Sequence, residues 1–236
     1  HLVYRANEIL VSKAAYEIGV SPNLIYNEPG VLVLDYIQST TLEPLTVRNN
    51  LERIIPVIKK IHNSIPNKLS GQSAIFWVFY VIKYYSNFLL NNKSSHSSKI
   101  QDLLTKSDNL EKLSSPREIV FGHNDLLAAN FLDDGSKIWV VDWEYGGFND
   151  PLFDLGGLAS NNDFDESLEL KALELYFNQK PNPDLLNKYN AMKTASLLRE
   201  TMWSMVSEIT SKLDFDYGEY TSENLKKFND SYERLF

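Results

Sequence analysis

The sequence predicts an α+β protein in which a small β-containing N-terminal piece precedes a larger, mostly helical lobe. Two short apolar runs near the N-terminus, residues 24–26 and 31–37, flank a turn-forming segment, as in a β-hairpin. After Pro44 the pattern changes, and most of the remaining chain shows helical spacing of apolar residues. With 236 residues, 43% of them apolar, the chain can bury the core of one domain or of two unequal lobes.

The first expected elements are a helix and the hairpin. Apolar residues recur at helical spacing over residues 6–18, and Gly19 ends the pattern. The hairpin follows, with strands at 24–26 and 31–37 joined by the turn 27–30, which contains Asn, Pro and Gly. These elements form the β-containing piece.

Three further helices are expected after the hairpin, at residues 47–62, 73–90 and 100–113. Clusters of Pro, Asn, Ser and Gly separate them. Residues 91–98 are rich in Asn and Ser, which indicates a surface connection.

Two short strands and a second helical region complete the pattern. The strands are expected at 118–121 and 138–141, and a turn signal at 133–136 leads into the second one. From about residue 166 the chain is again helical. Pro181 and Pro183 break this region, and residues 214–220 form an acidic, aromatic interruption. There is no internal repeat.

Charge and composition exclude several classes of function. The 23 basic residues are scattered and outnumbered by 31 acidic ones, for a net charge of -8, so nucleic acid is not an expected partner. Without cysteine there is no disulfide, thiolate metal site or cysteine nucleophile. The absence of cysteine fits a reducing compartment, so we expect a cytoplasmic protein. The longest apolar stretch, residues 74–82, is too short to span a bilayer, so no membrane insertion is expected.

The segment 121–130 and the residues that follow it carry the chemistry. Its sequence, FGHNDLLAAN, contains the pattern H-x-D-x-x-x-x-N, and Asp142 follows an apolar strand shortly afterwards. Phosphoryl transfer to an alcohol needs a carboxylate that orients the hydroxyl and takes its proton, plus hard oxygen ligands that hold Mg²⁺ on the phosphates. Asp125, Asn130 and Asp142 supply that set. We expect His123 to hold the loop through hydrogen bonds.

The alternative for these residues is structural. Asp and Asn commonly cap turns and end strands, and for any one of the three residues taken alone this is the simpler interpretation. The complete set, in this order and between two expected strands, favours the functional interpretation.

The motifs HNDL (123–126) with Asn130, VDWEY (141–145) and FDLG (153–156) resemble the choline/ethanolamine kinase family, as a bacterial-type member. That family belongs to the protein-kinase-like aminoglycoside phosphotransferase group. The resemblance implies a protein kinase-like two-lobed fold with a small, N-terminally incomplete β-containing lobe. It assigns residues 1–38 to the remainder of the nucleotide-binding lobe with its hinge, and 39–236 to the helical catalytic and substrate lobe.

The resemblance also implies roles, with ATP and Mg²⁺ as cofactors. Asp125 is the expected catalytic base, and Asn130 and Asp142 are the expected Mg²⁺ ligands. Glu8 resembles the helix-borne Glu that pairs with a strand lysine over the ATP phosphates, although a solvated helix-face charge is an alternative. The chain begins at His1 without a Met. We therefore expect that lysine and the phosphate-covering loop to lie upstream.

The adenine and the acceptor are expected to contact other residues. Asp35, Tyr36 and Ile37 resemble the hinge that binds adenine through backbone groups, with an ordinary strand end as the alternative. For an ammonium-bearing acceptor, aromatic faces and carboxylates are the suitable partners. The candidates are Glu144, Tyr145, Trp203, Tyr217 and Tyr220, with core packing as the alternative for the aromatic ones. Asp154 is expected to steady the catalytic loop.

The sequence thus predicts an ATP- and Mg²⁺-dependent kinase for the hydroxyl of a small amino alcohol, choline or ethanolamine first. Two departures from the family pattern, residues 160–162 (Ser-Asn-Asn) and Leu127, leave the acceptor open. A kinase for thiamine, an aminoglycoside or another small alcohol is one alternative. A catalytically inactive nucleotide-binding or interaction module is another.

Overall fold

The computed structural model describes residues 2–115 and 118–236. The helices are α1 (Arg5–Glu17), α2 (Pro44–Asn49), α3 (Leu51–Ser64), α4 (Val78–Asn91), α5 (Ile100–Leu113), α6 (Pro151–Asn161), α7 (Glu166–Phe177), α8 (Pro183–Thr210) and α9 (Tyr217–Glu233). The strands are β1 (Leu24–Glu28), β2 (Val31–Leu34), β3 (Thr40–Thr41), β4 (Val120–Gly122), β5 (Phe131–Asp133), β6 (Ile138–Val140) and β7 (Gly147–Asn149).

The described residues divide into two compact units. Residues 3–76 and 118–181 form the mixed unit, which holds all of these strands. Residues 77–115 and 182–236, with Leu2, form the helical unit. The boundary that the sequence suggests at residue 38 stays a prediction.

The expected N-terminal helix and hairpin are present as α1, β1 and β2. The second strand is shorter than expected, because β2 ends at Leu34, which pairs with Leu24 at the start of β1. One further backbone bond, from Asp35 N to Asn23 O (2.8 Å), closes the hairpin. Residues 35–39 then have no regular secondary structure.

Two helix boundaries differ from the expected ones. The single helix expected at 47–62 is two helices, since Asn50 leaves helical geometry (φ -123°, ψ 26°) between α2 and α3. The helix expected from residue 73 begins only at Val78. Residues before it are extended because Phe76 N donates to Phe148 O and Phe148 N donates to Ala74 O, both at 2.9 Å.

The mixed unit also contains elements that the sequence pattern missed. These are the short strands β3, β5 and β7 and the helix α6. Strand β5 lies between β3 and β6, and β7 pairs with β4, all antiparallel. The start of α6 follows from local chemistry, because the Asp150 side chain accepts from Leu152 N and Pro151 occupies the first turn.

The core of the mixed unit is built largely on α3. One face of that helix buries Ile54, Ile55, Ile58 and Ile61 almost completely. Each such side chain contributes roughly 1.5–3 kcal/mol on burial. Phe121 on β4 and Phe131 on β5 are also fully buried, so the two strands that flank the HNDL motif are anchored in this core.

The helical unit is organised on the 28-residue helix α8, which contacts α4, α5 and α9. Helix α5 has the bounds that the sequence predicts. The prolines act as expected: Asn182 caps α8 by accepting from Leu185 N, and Pro183 is its first residue. The expected interruption at 214–220 is misplaced: it lies at residues 211–216, because α9 begins at Tyr217, where the Asp216 side chain accepts from Glu219 N. Within the described ranges, no helix has the length and apolarity to cross a membrane.

Candidate active site

The loop between β4 and β5 holds Asp125 and Asn130. Strand β4 ends at Gly122, and a 3₁₀ turn at Ala128–Asn130 leads into β5. The Asn130 side-chain amide donates from Nδ2 to Asp125 O at 2.9 Å. This bond fixes the amide, so that its Oδ1 is directed away from the Asp125 carbonyl and can act as an acceptor.

Asp142 lies beside this loop because of the β5–β6 pairing. Phe131 is opposite Val140 in the register, and the next pair outward is joined by a bond from Val141 N to Asn130 O (3.0 Å). Asn130 and Asp142 therefore meet at the same end of the strand pair. The structure brings Asp125, Asn130 and Asp142 together, as the spacing of the motif predicts.

Two site residues have a left-handed backbone that few residues other than glycine adopt. Asn124 has φ 66° and Asp142 has φ 67°. Asn and Asp tolerate this conformation better than most residues, at a cost on the order of 1 kcal/mol. Asn124 precedes the expected base, so its backbone conformation sets the direction of the chain at Asp125.

Buried asparagines that the sequence pattern does not single out hold this geometry. Asn124 Nδ2 lies 2.9 Å from Tyr145 O and 3.2 Å from both Gly122 O and Gly147 O, and its Oδ1 accepts from Asn149 Nδ2 at 2.9 Å. Such contacts tie the loop to the segment after Asp142. The sequence carries no signal for these contacts, because Tyr145, Gly147 and Asn149 lie at least 21 residues from Asn124 along the chain.

A third asparagine lies where the sequence departs from the family pattern. Asn162 is fully buried, and its Nδ2 donates to Leu126 O (3.2 Å) and Leu158 O (2.8 Å). It thus connects the C-terminal end of α6 to the residue after Asp125. This contact gives the departure at 160–162 a structural role.

His123 contacts the backbone and an indole ring. Its Nε2 lies 2.9 Å from Val141 O, and its ring centroid is 4.7 Å from that of Trp143. Trp143 in turn donates from Nε1 to Ser21 Oγ at 3.1 Å. His123 therefore braces the segment that carries Asp142, which is the geometry of a supporting residue.

Asp154, at the start of α6, holds the catalytic loop by its backbone. Its Oδ2 accepts from His123 N and its Oδ1 accepts from Asn124 N, both at 2.7 Å. Burial alone would raise the pKa of Asp154. Hydrogen bonds from the His62 side chain and the His123 amide outweigh that effect and hold its pKa below the ordinary value.

The electrostatics of the site suit a cation. Burial raises the pKa of Asp142 and of Glu144, and each is raised further by the charges of Asp125 and Glu8. Arg5 acts against this rise at both carboxylates, as does His123 at Asp142, but both pKa values stay above their ordinary values. The carboxylates thus lie close enough to repel one another, and a bound cation would relieve that repulsion.

The donor set fits Mg²⁺ through a few protein oxygens. In the described part of the chain, no group of three or more His, Cys, Asp or Glu side chains is arranged as a complete metal cage. Mg²⁺ is typically held by one or two carboxylates, with phosphate and water oxygens completing its octahedron. Asp142 and the Asn130 amide oxygen meet that requirement.

Helix α1 places Glu8 beside the same acids. Asn7 anchors the helix, donating to Gly146 O at 2.7 Å and accepting from Ala74 N at 3.0 Å. Glu8 is 7% exposed, so it is not a solvated helix-face charge. Its Oε2 lies 2.6 Å from Arg5 Nη1, which is also 3.2 Å from Glu144 Oε2.

A cavity of about 730 Å³ opens between the N-terminal half of α1 and the hairpin turn. Arg5 and Glu8 line it on one side, and residues 27–32 line it on the other. Asp35, Tyr36 and Ile37 follow β2, and Tyr36 is 82% exposed. Their adenine-binding role stays a prediction.

The residues expected to bind the acceptor fall into two groups. In the mixed unit, Tyr145 is buried edge-on against Phe76, with ring centroids 5.9 Å apart. In the helical unit, the Trp203 and Tyr217 rings lie 6.1 Å apart, and Phe215 lies 4.9 Å from Tyr217.

Tyr220 belongs to the same aromatic cluster of the helical unit. Its ring lies 5.8 Å from that of Phe215. Its hydroxyl donates to Glu200 Oε1 at 2.8 Å. Phe215 and Glu200 were not identified from the sequence, although Glu200 lies one helical turn before Trp203.

Comparison with known proteins identifies the family. The family model described as choline/ethanolamine kinase matches residues 1–167. Protein LicA homolog of Mycoplasma capricolum subsp. capricolum is 29% identical over 170 residues, which cover 71% of this chain and 66% of that protein. The probable ethanolamine kinase of Arabidopsis thaliana is 26% identical over an alignment of 251 residues, covering 93% of this chain and 66% of that protein.

A solved structure extends the likeness to the fold. The crystal structure of a choline/ethanolamine kinase family protein from Mesorhizobium loti matches with a TM-score of 0.84 and 26% identity, over 99% of this chain and 80% of that one. The predicted α+β, protein kinase-like fold is thereby confirmed. The chain spans about two thirds of the length of the two relatives named above. It belongs to the choline/ethanolamine kinase family.

Proposed function

We propose that this protein transfers the γ-phosphoryl group of ATP to the hydroxyl of a small amino alcohol, choline or ethanolamine, with Mg²⁺. The observation that carries the proposal is the convergence of Asp125, Asn130 and Asp142, which the Val141 N to Asn130 O bond secures. Membership of the choline/ethanolamine kinase family supports it.

Asp125 has the role of general base. Its carboxylate orients the acceptor hydroxyl and takes its proton as the alcohol oxygen bonds to the γ-phosphorus and the bond to the β-phosphate oxygen breaks. The products are ADP and a phosphate monoester. Asn130 and Asp142 would hold Mg²⁺, which supplies positive charge against the phosphate oxygens when bound.

Glu8 has a role on the nucleotide side. It already holds a cation, Arg5, at 2.6 Å, and we propose that it orients a basic group toward the ATP phosphates. Asp35, Tyr36 and Ile37 are proposed to meet adenine through backbone groups. Exposure of Tyr36 agrees with a backbone rather than a side-chain contact.

The acceptor's ammonium group is proposed to bind aromatic and acidic side chains. A cation over an aromatic ring gains about 0.5–2 kcal/mol, the larger value in a desolvated site. Trp203, Tyr217 and Tyr220 supply such rings. Tyr145 and Glu144 of the mixed unit are also proposed as acceptor-binding residues.

A panel of acceptors assayed for ADP release tests the proposed function. The full-length protein with ATP is given choline, ethanolamine, thiamine or kanamycin, each with and without Mg²⁺. We expect choline or ethanolamine to give the highest kcat/KM, and chelation of Mg²⁺ to abolish release. Preference for thiamine or kanamycin would reassign the acceptor. ADP release that no acceptor stimulates would contradict the proposed transfer to an alcohol, and no release under any condition would favour an inactive module.

A further inference from the structure

His62 is buried in the mixed unit and contacts the residue that holds the catalytic loop. It lies on α3 and is 1% exposed. Its Nε2 is 2.9 Å from Asp154 Oδ2, and its Nδ1 is 2.7 Å from the Tyr176 hydroxyl on α7. The three side chains form a continuous hydrogen-bonded chain from α7 through α3 to α6.

The partners of His62 define the direction of these bonds. A carboxylate can only accept, so Nε2 carries the proton and donates to Asp154. In the neutral ring, Nδ1 is then an acceptor, and the Tyr176 hydroxyl donates a hydrogen bond to it. Tyr176 thereby selects the tautomer of His62 that donates to Asp154.

The same carboxylate holds the peptide that leads to Asp125. Asp154 Oδ2 accepts hydrogen bonds from His62 Nε2 and His123 N, and Oδ1 accepts one from Asn124 N. With three donors in place the carboxylate has one orientation. Without the His62 donor it can rotate, and the His123 and Asn124 amides lose their fixed acceptors.

Precise placement matters at this point of the chain. Asn124 has a left-handed backbone, with φ 66°, that its surroundings must maintain. A shift of about 1 Å at a catalytic group can cost on the order of a hundredfold in rate. The amide of Asn124 is one residue from the proposed base.

We infer that His62, held in one tautomer by Tyr176, is a positioning residue that fixes the catalytic loop through Asp154. This inference rests on the proposed function, because its effect on rate requires phosphoryl transfer. The effect of His62 on the loop does not require phosphoryl transfer, so the inference and the proposed function can fail separately.

The test compares His62→Leu with the conservative variant His62→Gln. Leu removes the donor to Asp154, whereas the Gln amide nitrogen can replace Nε2. We expect His62→Leu to lower kcat about ten- to a hundredfold, the range for losing a hydrogen bond to a charged group. KM for ATP and for the acceptor should change less than about twofold. His62→Gln should recover most of kcat.

A second measurement does not need activity. Hydrogen exchange of a peptide covering residues 121–127 should become at least about tenfold faster in His62→Leu, because the amides of His123 and Asn124 lose their fixed acceptors. A peptide covering α5 should exchange as in the wild type. Tyr176→Phe, which removes only the hydroxyl, should show a smaller change of the same kind.

The matched control is His96→Leu, since His96 Nε2 also pairs with a carboxylate, Glu208, at 3.0 Å, but in the helical unit. It should leave exchange of 121–127 and kcat unchanged. The inference is overturned if His62→Leu folds with wild-type exchange at 121–127. It is also overturned if the loss of kcat in His62→Leu is fully explained by a smaller amount of folded protein. The same holds if His62→Gln recovers none of the lost kcat. An inactive wild type with the expected exchange would reject the proposed function alone.

Discussion

Asn124 shows at the scale of one residue what the sequence could and could not indicate. The motif around it predicted Asp125, Asn130 and Asp142, because their chemistry needs oxygen ligands at that spacing. It gave no sign that Asn124 would be buried with φ 66°. Its partners include carbonyls 21 and 23 residues away along the chain, and pairings at that separation are set by the fold.

Asp154 leads to a pH dependence of stability. Its pKa is lowered in the folded protein, so its contribution to the free energy of unfolding is complete above the ordinary pKa of about 4. The contribution is lost as the pH falls through the lower, folded-state value. Asp154→Asn should cost about 1.5–3 kcal/mol at pH 7, because it removes a buried charged acceptor that three donors contact, His62 Nε2 and the amides of His123 and Asn124.

Urea unfolding of both proteins between pH 7 and pH 2 measures this effect. The difference in unfolding free energy should be constant from pH 7 to about pH 5 and should shrink below about pH 4. A difference that stays constant down to pH 2 would show that the charge of Asp154 does not contribute.

Strand β7 shows at the scale of an element why the short strands escaped the sequence pattern. It has three residues, and pairing with β4 holds it in place. Neither a run of β-branched residues nor a two-residue alternation can be detected over such a length. The predicted start of α4 was wrong because of a pairing that is distant in sequence. The backbone bonds of Ala74 and Phe76 to Phe148 keep this segment extended, although its apolar pattern fits a helix.

Gly147 on β7 offers a test of this packing. A Cβ at Gly147 would lie 2.9 Å from Ala74 O and 3.3 Å from Phe76 N, both backbone atoms. Gly147→Ala should therefore lower the free energy of unfolding by about 1–3 kcal/mol, the usual cost of overpacking. Thermal or urea unfolding measures it.

Gly71 is the matched control for that variant. A Cβ there would meet only Leu10 Cδ2, at 4.0 Å. Gly71→Ala should change the free energy of unfolding by no more than about 0.5 kcal/mol. Equal stability of the two variants would mean that the close approach of β7 to residues 74–76 is not present in solution.

At the scale of the whole molecule, the sequence predicted the fold class and the family, and the comparisons confirm both. Both predictions depended on segments 123–130, 141–145 and 153–156, which lie in the mixed unit. The aromatic cluster around Trp203 lies in the helical unit. A helix pattern cannot distinguish a ring that packs in a core from one that binds a ligand, so the acceptor could not be read from the sequence.

In the proposed reaction, Asp125 takes the acceptor's proton in a site completed by Asn130 and Asp142. Formation of the phosphorylated amino alcohol, followed by ³¹P NMR for wild type, Asp125→Asn and the control Asp102→Asn, tests this role. Asp102 lies on α5, where its carboxylate is largely exposed and pairs with Lys106. All three proteins should have the same thermal midpoint within about 2 °C.

We expect Asp125→Asn to form the phosphate monoester at least about a hundredfold more slowly than wild type, the usual contribution of a general base. Asp102→Asn should match the wild type. Product formation by Asp125→Asn at the wild-type rate would rule out Asp125 as the general base.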